Sequence, residues 1–188
     1  MREILFAGFG GQGVLTAGLI MSQVALYKGY NATWMPSYGA AMRGGTANCT
    51  VHYGEGKVYN PGQQEPDLLL AMNMPSFLKF SPMVRPGGII LVNEDMVELP
   101  ETVRTDVRIV KVPCNTLAAK AANAKGANIV MIGAIIALLK DCSYEEGVEG
   151  MNDMFRKKGK SKFEAANVRA FSEGYLTANN LAVTDSAC

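Results

Sequence analysis

The sequence predicts an α/β fold, a doubly wound and mostly parallel sheet with an inserted antiparallel hairpin and a helical C-terminal third. Short apolar runs typical of buried strands alternate with longer apolar stretches typical of helices. One run, Thr46 to Tyr53, instead alternates between apolar and polar residues, as an antiparallel strand does. After Pro113 only helical patterns occur. The 188 residues suit one domain with a substantial core, so we predict a single domain over 1–188, ordered over about 1–179.

Apolar runs and their flanking residues set the predicted strands. Pro36 is expected to end the second strand, since proline cannot donate to a sheet. Glycines at 54 and 56 are expected to turn the third strand back into a short fourth one as a hairpin. The predicted strands are Glu3 to Ala7, Ala32 to Met35, Thr46 to Tyr53, Lys57 to Tyr59, Asp67 to Met72, Ile89 to Val92 and Val107 to Val112.

The helices are predicted from apolar stretches and from residues that favour helix ends. Asn115 can cap one of them, because its side chain can accept from a free backbone N–H group. Serine followed three residues later by glutamate spells a capping box, which marks two further helix starts. The predicted helices are Val14 to Lys28, Ser76 to Met83, one from Asn115, Ile129 to Leu139, and two from the boxes Ser143/Glu146 and Ser161/Glu164.

Composition excludes several classes of protein. The net charge of +1 gives no reason to expect nucleic acid or a membrane surface as a partner. The longest apolar run, Ile129 to Leu139, is well short of the ~20 residues of a membrane-spanning helix. The four cysteines lie far apart and form no C-x-x-C pair, so no zinc site or iron–sulfur cluster is expected on this chain. Free thiols and no visible secretory signal predict a cytoplasmic location.

A glycine-rich segment follows the first strand and indicates an anion site. Gly8, Gly10 and Gly13 match G-x-G-x-x-G between a strand and a helix, where unpaired N–H groups and the helix dipole favour negative charge. A dinucleotide site also needs an acidic residue about 20 positions on. None occurs between Glu3 and Glu55, which argues against NAD. A turn that serves only tight packing remains the alternative.

A second segment, "PSYGAAMRGGTAN", follows the second predicted strand and should lie at the same edge of the sheet. Arg43 lies in it, followed by two glycines and a threonine. An arginine at such a place can hold phosphate or carboxylate with two parallel hydrogen bonds. The alternative is an ordinary surface arginine.

The motifs "GFGGQGV" and "SYGAAMRGGTAN", with "PDLLLAMN" and "RPGGIILVN", resemble the gamma subunit of 2-oxoacid:ferredoxin oxidoreductases, closer to the 2-oxoglutarate and branched-chain types than to the pyruvate type. The resemblance implies a complex that oxidatively decarboxylates a 2-oxoacid to acyl-CoA, with this chain as its coenzyme A-associated domain. It places thiamine diphosphate, magnesium and iron–sulfur clusters on partner chains. Those partners would be alpha and beta subunits, with or without a ferredoxin-like delta subunit, and ferredoxin would accept the electrons.

Carried over residue by residue, the resemblance predicts two walls of a coenzyme A site and no catalytic or metal-binding residue. Cys49 is expected to be a packing residue, and His52 to be a surface or hydrogen-bonded one. Two alternatives stay open: an architectural subunit of the same complex, and a stand-alone nicotinamide-dependent oxidoreductase. The predicted coenzyme-binding residues are Gly10, Gly11, Gln12, Gly13, Ser37, Arg43, Gly44, Gly45 and Thr46.

Overall fold

A computed structural model describes residues 1–38, 45–62 and 64–185 of the chain. Its strands are β1 (Arg2–Phe9), β2 (Asn31–Tyr38), β3 (Thr46–Gly54), β4 (Leu68–Ala71), β5 (Ile89–Asn93) and β6 (Arg108–Val112). Its α-helices are α1 (Val14–Tyr27), α2 (Met74–Phe80), α3 (Cys114–Lys120), α4 (Ala127–Leu139), α5 (Tyr144–Lys157) and α6 (Glu164–Asp185). Single 3₁₀ turns, Ser81–Met83 and Ser161–Phe163, follow α2 and precede α6.

The strands form one mixed sheet in the order β2-β3-β1-β4-β5-β6. Strands β1, β4, β5 and β6 run parallel, whereas β3 is antiparallel to both β1 and β2. The chain therefore builds the sheet to one side of β1 first and then to the other side. The carboxyl ends of β1 and β4 meet where this change occurs, which is the usual place for a ligand in such sheets.

Helices cover both faces of the sheet, because the parallel strands carry apolar side chains on both sides. On β1, Ile4 and Phe6 pack towards the helices α1, α4, α5 and α6, whereas Leu5 and Ala7 pack towards α2. Helix α4 is buried along almost its whole length. In the part of the chain that the structure describes, no helix combines the length and the apolarity needed to cross a membrane.

The predicted fold class is confirmed, but two strand predictions are wrong. Strand β2 does not end at Pro36; it continues to Tyr38, because β2 is an edge strand, where proline is tolerated. Residues 57–59 form no strand. Strand β3 already has β1 on one edge and β2 on the other, so the antiparallel hairpin is β2–β3 and no edge is left for another partner.

Three predictions about helix ends fared differently. The capping box of Ser143 and Glu146 is present at the start of α5. The second predicted box is replaced by the 3₁₀ turn Ser161–Phe163, and α6 begins at Glu164. Asn115 does not cap α3; its own N–H donates to the carboxylate of Asp95 at 2.7 Å, so an acidic side chain from the loop after β5 provides the cap. Helix α6 runs through Asp185.

Candidate functional site

Residues 9–13 form a tight turn between β1 and α1. The N–H of Gln12 donates to the carbonyl of Phe9 at 3.1 Å and closes the turn. Gly11 and Gly13 have φ angles of +104° and +76°, in the left-handed region that side chains strongly disfavour. The glycines at these two positions are therefore required by the backbone path, and not only by the approach of a ligand.

The first turn of α1 presents unpaired backbone donors. Its first helical hydrogen bond runs from the N–H of Ala17 to the carbonyl of Gly13 at 2.8 Å. The N–H groups of Val14, Leu15 and Thr16 precede this bond and have no partner within the helix. No side chain caps the helix, and no acidic residue lies in its first turn. The positive end of the helix dipole is thus free to attract an anion.

The start of β3 lies beside this turn. Phe9, at the end of β1, pairs in register with Thr46, and the N–H of Gly10 donates to the carbonyl of Gly45 at 2.9 Å. The two segments enclose a cavity of about 300 Å³, lined by the glycine turn, the first turn of α1 and residues 45–47. None of the described residues that line this cavity carries a charge. Among the described lining residues, backbone dipoles are therefore the groups that could attract an anion.

The predicted site residues are only partly brought together. The glycines at positions 10, 11, 13 and 45 line the cavity together with Thr46. Ser37 is exposed on β2, opposite Asn48 of β3, and does not line it. Arg43 and Gly44 lie outside the described residues.

The Gln12 side chain points into the sheet edge, away from this cavity. Its Oε1 accepts from the N–H of Phe9 at 2.7 Å and from Nδ2 of Asn73 at 2.8 Å. Its Nε2 donates to the carbonyl of Met72 at 3.1 Å. The amide thus bridges the carboxyl ends of β1 and β4.

The turn also has an anchor on α4 that sequence reasoning missed. Nδ2 of the buried Asn128 donates to the carbonyl of Gly13 at 3.2 Å. A side chain at position 13 would meet this amide, since its Cβ would lie 2.7 Å from Nδ2 of Asn128. The only sequence signal was a polar residue at the start of an otherwise apolar helix.

The sequence matches a known protein family. The sequence model of the pyruvate ferredoxin/flavodoxin oxidoreductase family matches residues 3–177. The chain belongs to this family. The family relationship expected from the glycine turn and the second segment is thereby confirmed.

Two relatives differ in how much of their length this chain covers. The ketoisovalerate oxidoreductase subunit VorA of Methanothermobacter thermautotrophicus is 37% identical over 92% of this chain, which is 35% of VorA. The 2-oxoglutarate synthase subunit KorC of Methanocaldococcus jannaschii is 33% identical over 96% of this chain and 95% of KorC. The chain thus spans about a third of the length of VorA and nearly the whole of KorC.

Solved structures of oxoacid ferredoxin oxidoreductases share this fold. The gamma subunit of a keto/oxoacid ferredoxin oxidoreductase from Geobacter sulfurreducens has a TM-score of 0.79 and 31% identity, over 95% of this chain and 98% of that chain. The 2-oxoglutarate:ferredoxin oxidoreductase of Magnetococcus marinus, solved with 2-oxoglutarate, coenzyme A and succinyl-CoA bound, has a TM-score of 0.84, covering 95% of this chain and 31% of that one. Its identity is 24%, so this second likeness is one of fold alone.

Cys49 and His52 are both buried in this chain. Cys49 Sγ donates to the carbonyl of Val14 at 3.4 Å, and burial raises the pKa of the thiol to about 12. Cys49 is therefore protonated at neutral pH, and its prediction as a packing residue is confirmed. His52 is only 5% exposed, with Nε2 3.5 Å from the Glu3 carboxylate and no hydrogen bond at either ring nitrogen. It is not the surface or hydrogen-bonded residue that was predicted.

The burial of His52 has a specific cause. Glu3 lies opposite His52 in register, and the N–H of Gln64 donates to Oε1 of Glu3 at 2.8 Å. Gln64 therefore lies beside Glu3, next to His52. Across residues 1–38, 45–62 and 64–185, no group of three or more His, Cys, Asp or Glu side chains could hold a metal ion.

Proposed function

We propose that this chain is a non-autonomous subunit of a 2-oxoacid:ferredoxin oxidoreductase, which oxidatively decarboxylates a 2-oxoacid to acyl-CoA, and that it contributes the coenzyme A-associated domain. The observation that carries the proposal is the cavity between the uncapped start of α1 and residues 45–47. Family membership and the names of VorA and KorC support the reaction class. The bound coenzyme A in the Magnetococcus marinus enzyme supports the ligand.

The cavity fits the phosphate groups of coenzyme A. Phosphate oxygens would accept hydrogen bonds from the free N–H groups of residues 14–16 and from the hydroxyl of Thr46. A Cβ at Gly11 would meet no atom within 4 Å, so the turn leaves open space for a ligand at this point. A volume of about 300 Å³ is at the lower end for small-molecule pockets. The nucleoside and pantetheine parts would therefore extend beyond it.

The second segment would complete the site. We propose that the Arg43 guanidinium forms paired hydrogen bonds with a phosphate of the coenzyme and that Gly44 takes part in the same contact. Ser37 does not line the cavity, so it would contact only the parts of the coenzyme that extend beyond it. The ligand is anionic, and the described lining residues are uncharged. A single arginine would therefore supply much of the charge complementarity.

The remaining chemistry belongs to partner chains in this proposal. Alpha and beta subunits would carry thiamine diphosphate, magnesium and iron–sulfur clusters, with or without a ferredoxin-like delta subunit, and ferredoxin would be the electron acceptor. The dispersed cysteines of this chain are consistent with that division. We also propose a cytoplasmic location, supported by Cys49, Cys114 and Cys142, which are free thiols.

Titration of coenzyme A into the complex that co-purifies with the tagged chain tests the proposal. The isolated chain should show no oxidoreductase activity, and the assembled complex should oxidise a 2-oxoacid. Arg43→Ala should raise the dissociation constant for coenzyme A about tenfold, the loss expected for one charge-assisted pair. Arg156→Ala is the control, because Arg156 is half-exposed and pairs with Glu164 on the surface. Binding of coenzyme A that never involves this chain would instead favour an architectural subunit.

A further inference from the structure

The Gln12 amide uses its hydrogen-bonding groups within the protein. Two donors, from Phe9 and Asn73, reach Oε1, and Nε2 donates to Met72. Glutamine at this position cannot also point towards the cavity beside α1 without breaking these bonds. The Gln12 side chain is therefore not placed to contact a ligand in that cavity.

Gln12 belongs to a row of side-chain amides along the carboxyl edge of the sheet. Oδ1 of Asn73 accepts from the N–H of Ser76 at 2.9 Å and caps α2. Nδ2 of Asn93 lies 3.5 Å from the same Met72 carbonyl that Gln12 bonds. Nδ2 of Asn93 also donates to Oδ1 of Asn115 at 3.1 Å. We call Gln12, Asn73, Asn93 and Asn115 the edge amide row.

Two cavities lie near the glycine turn, and two residues of the row line one of them. One is the 300 Å³ cavity beside β3. The other, of about 450 Å³, lies on the side of β4 and is lined by Gln12, Met72, Asn115 and Lys125. Gly11 lines both, whereas Gln12 lines only the second. Gln12 therefore faces the cavity on the β4 side, and its amide joins the glycine turn to the residues that follow β4.

We infer that Gln12 is a positioning residue, which ties the glycine turn to the carboxyl end of β4 and so holds the turn in its binding conformation. This inference rests on the proposed coenzyme A function. Without the amide, the N–H of Phe9, the carbonyl of Met72 and Nδ2 of Asn73 lose their shared partner. Because unpaired polar groups near the interior are costly, the turn shifts to satisfy them with water. The N–H groups of α1 then no longer converge on the phosphates.

Gln12→Met tests the inference, since methionine has a similar length and cannot form these bonds. We expect the dissociation constant of the assembled complex for coenzyme A to rise five- to tenfold. Titrations should be made well below the melting temperature of every variant, so that lost stability alone leaves the constant unchanged. Gln23→Met is the matched control on the adjoining helix α1, where the Gln23 amide donates to Asp153 at 3.0 Å, away from the glycine turn. It should bind coenzyme A like the wild type.

Asn73→Ser supplies a second, independent variant. Serine can still cap α2, but it cannot donate to Oε1 of Gln12 in the same way. We expect Asn73→Ser to weaken binding two- to threefold. The double variant should bind no more weakly than Gln12→Met alone, because both changes break one bridge. Wild-type affinity in Gln12→Met, or additive losses in the double variant, would overturn the inference alone. A wild-type complex that does not bind coenzyme A would overturn the proposed function and this inference together.

Discussion

Gly11 and Gly29 offer a matched pair of alanine substitutions that separates ligand contact from backbone strain. Their φ angles are +104° and +93°, and an added Cβ would meet no atom within 4 Å at either position. Gly11 lies in the turn before α1 and lines the candidate cavity, whereas Gly29 follows the C-terminal end of that helix. The two substitutions thus impose similar strain at opposite ends of one element.

The two effects have different expected sizes. A left-handed conformation costs a non-glycine residue about 1–2 kcal/mol, so each variant should lose about that much free energy of unfolding. For a domain of this size, 1 kcal/mol corresponds to a drop in melting temperature of about 2–4 °C. Only Gly11→Ala also puts a methyl group where phosphate approaches the backbone. If this costs about 1.4 kcal/mol of binding free energy, the dissociation constant for coenzyme A rises about tenfold.

Thermal unfolding and calorimetric titration of coenzyme A into the assembled complex measure both quantities. Gly11→Ala and Gly29→Ala should have similar melting temperatures, and Gly29→Ala should bind coenzyme A within twofold of the wild type. Equal affinity in all three proteins would refute the assignment of this cavity to the coenzyme. Equal loss of affinity in both variants would show that strain, and not contact, controls binding.

Two further predictions concern the interior and the opposite end of the sheet. Burial opposes ionisation of Asp141, but hydrogen bonds from Arg2 (2.7 Å) and Tyr53 (2.8 Å) outweigh it and lower the carboxyl pKa. A lowered folded-state pKa stabilises the protein above the unfolded value of about 3.9, and this contribution is lost as pH falls through the folded value. Asp141→Asn should therefore reduce the free energy of unfolding at pH 7, by about 1 kcal/mol because solvent partly screens this pair, and the difference should shrink as pH falls below the unfolded value; a difference that does not shrink on acidification would contradict this reasoning. Cys49, with its raised pKa and no exposed surface, should react with iodoacetamide only after unfolding, and labelling of the native protein in peptide mass spectrometry would show that β3 opens.

The glycine turn could be predicted from sequence because its signal is local. A strand, closely spaced glycines and an apolar helix follow one another without a break, and short-range sterics determine the turn. The alternating pattern of β3 was equally local and correctly predicted a strand. The strands that pair with β3 could not be predicted from this pattern. Its pairing with β1 and β2, and not with residues 57–59, depends on which strand edges remain free in the finished sheet.

The direction of the Gln12 side chain could not be predicted from its own segment. Its partners Met72 and Asn73 are about 60 positions away and meet it only because β1 and β4 pair in parallel. The sequence did contain a usable signal, since Asn73 directly follows a buried strand at the same edge. Asn128 gave a weaker signal, because a single polar residue in an apolar helix does not identify its hydrogen-bond partner.

The bond from Asn128 to Gly13 joins residues 115 positions apart in sequence. All of the ligand contacts proposed here lie within the first 46 residues, yet one support of the turn is supplied by a helix made much later in translation. A shortened fragment that retains every proposed contact would lack that support. During synthesis, this support of the pocket forms only after α4 has emerged from the ribosome and docked onto the sheet.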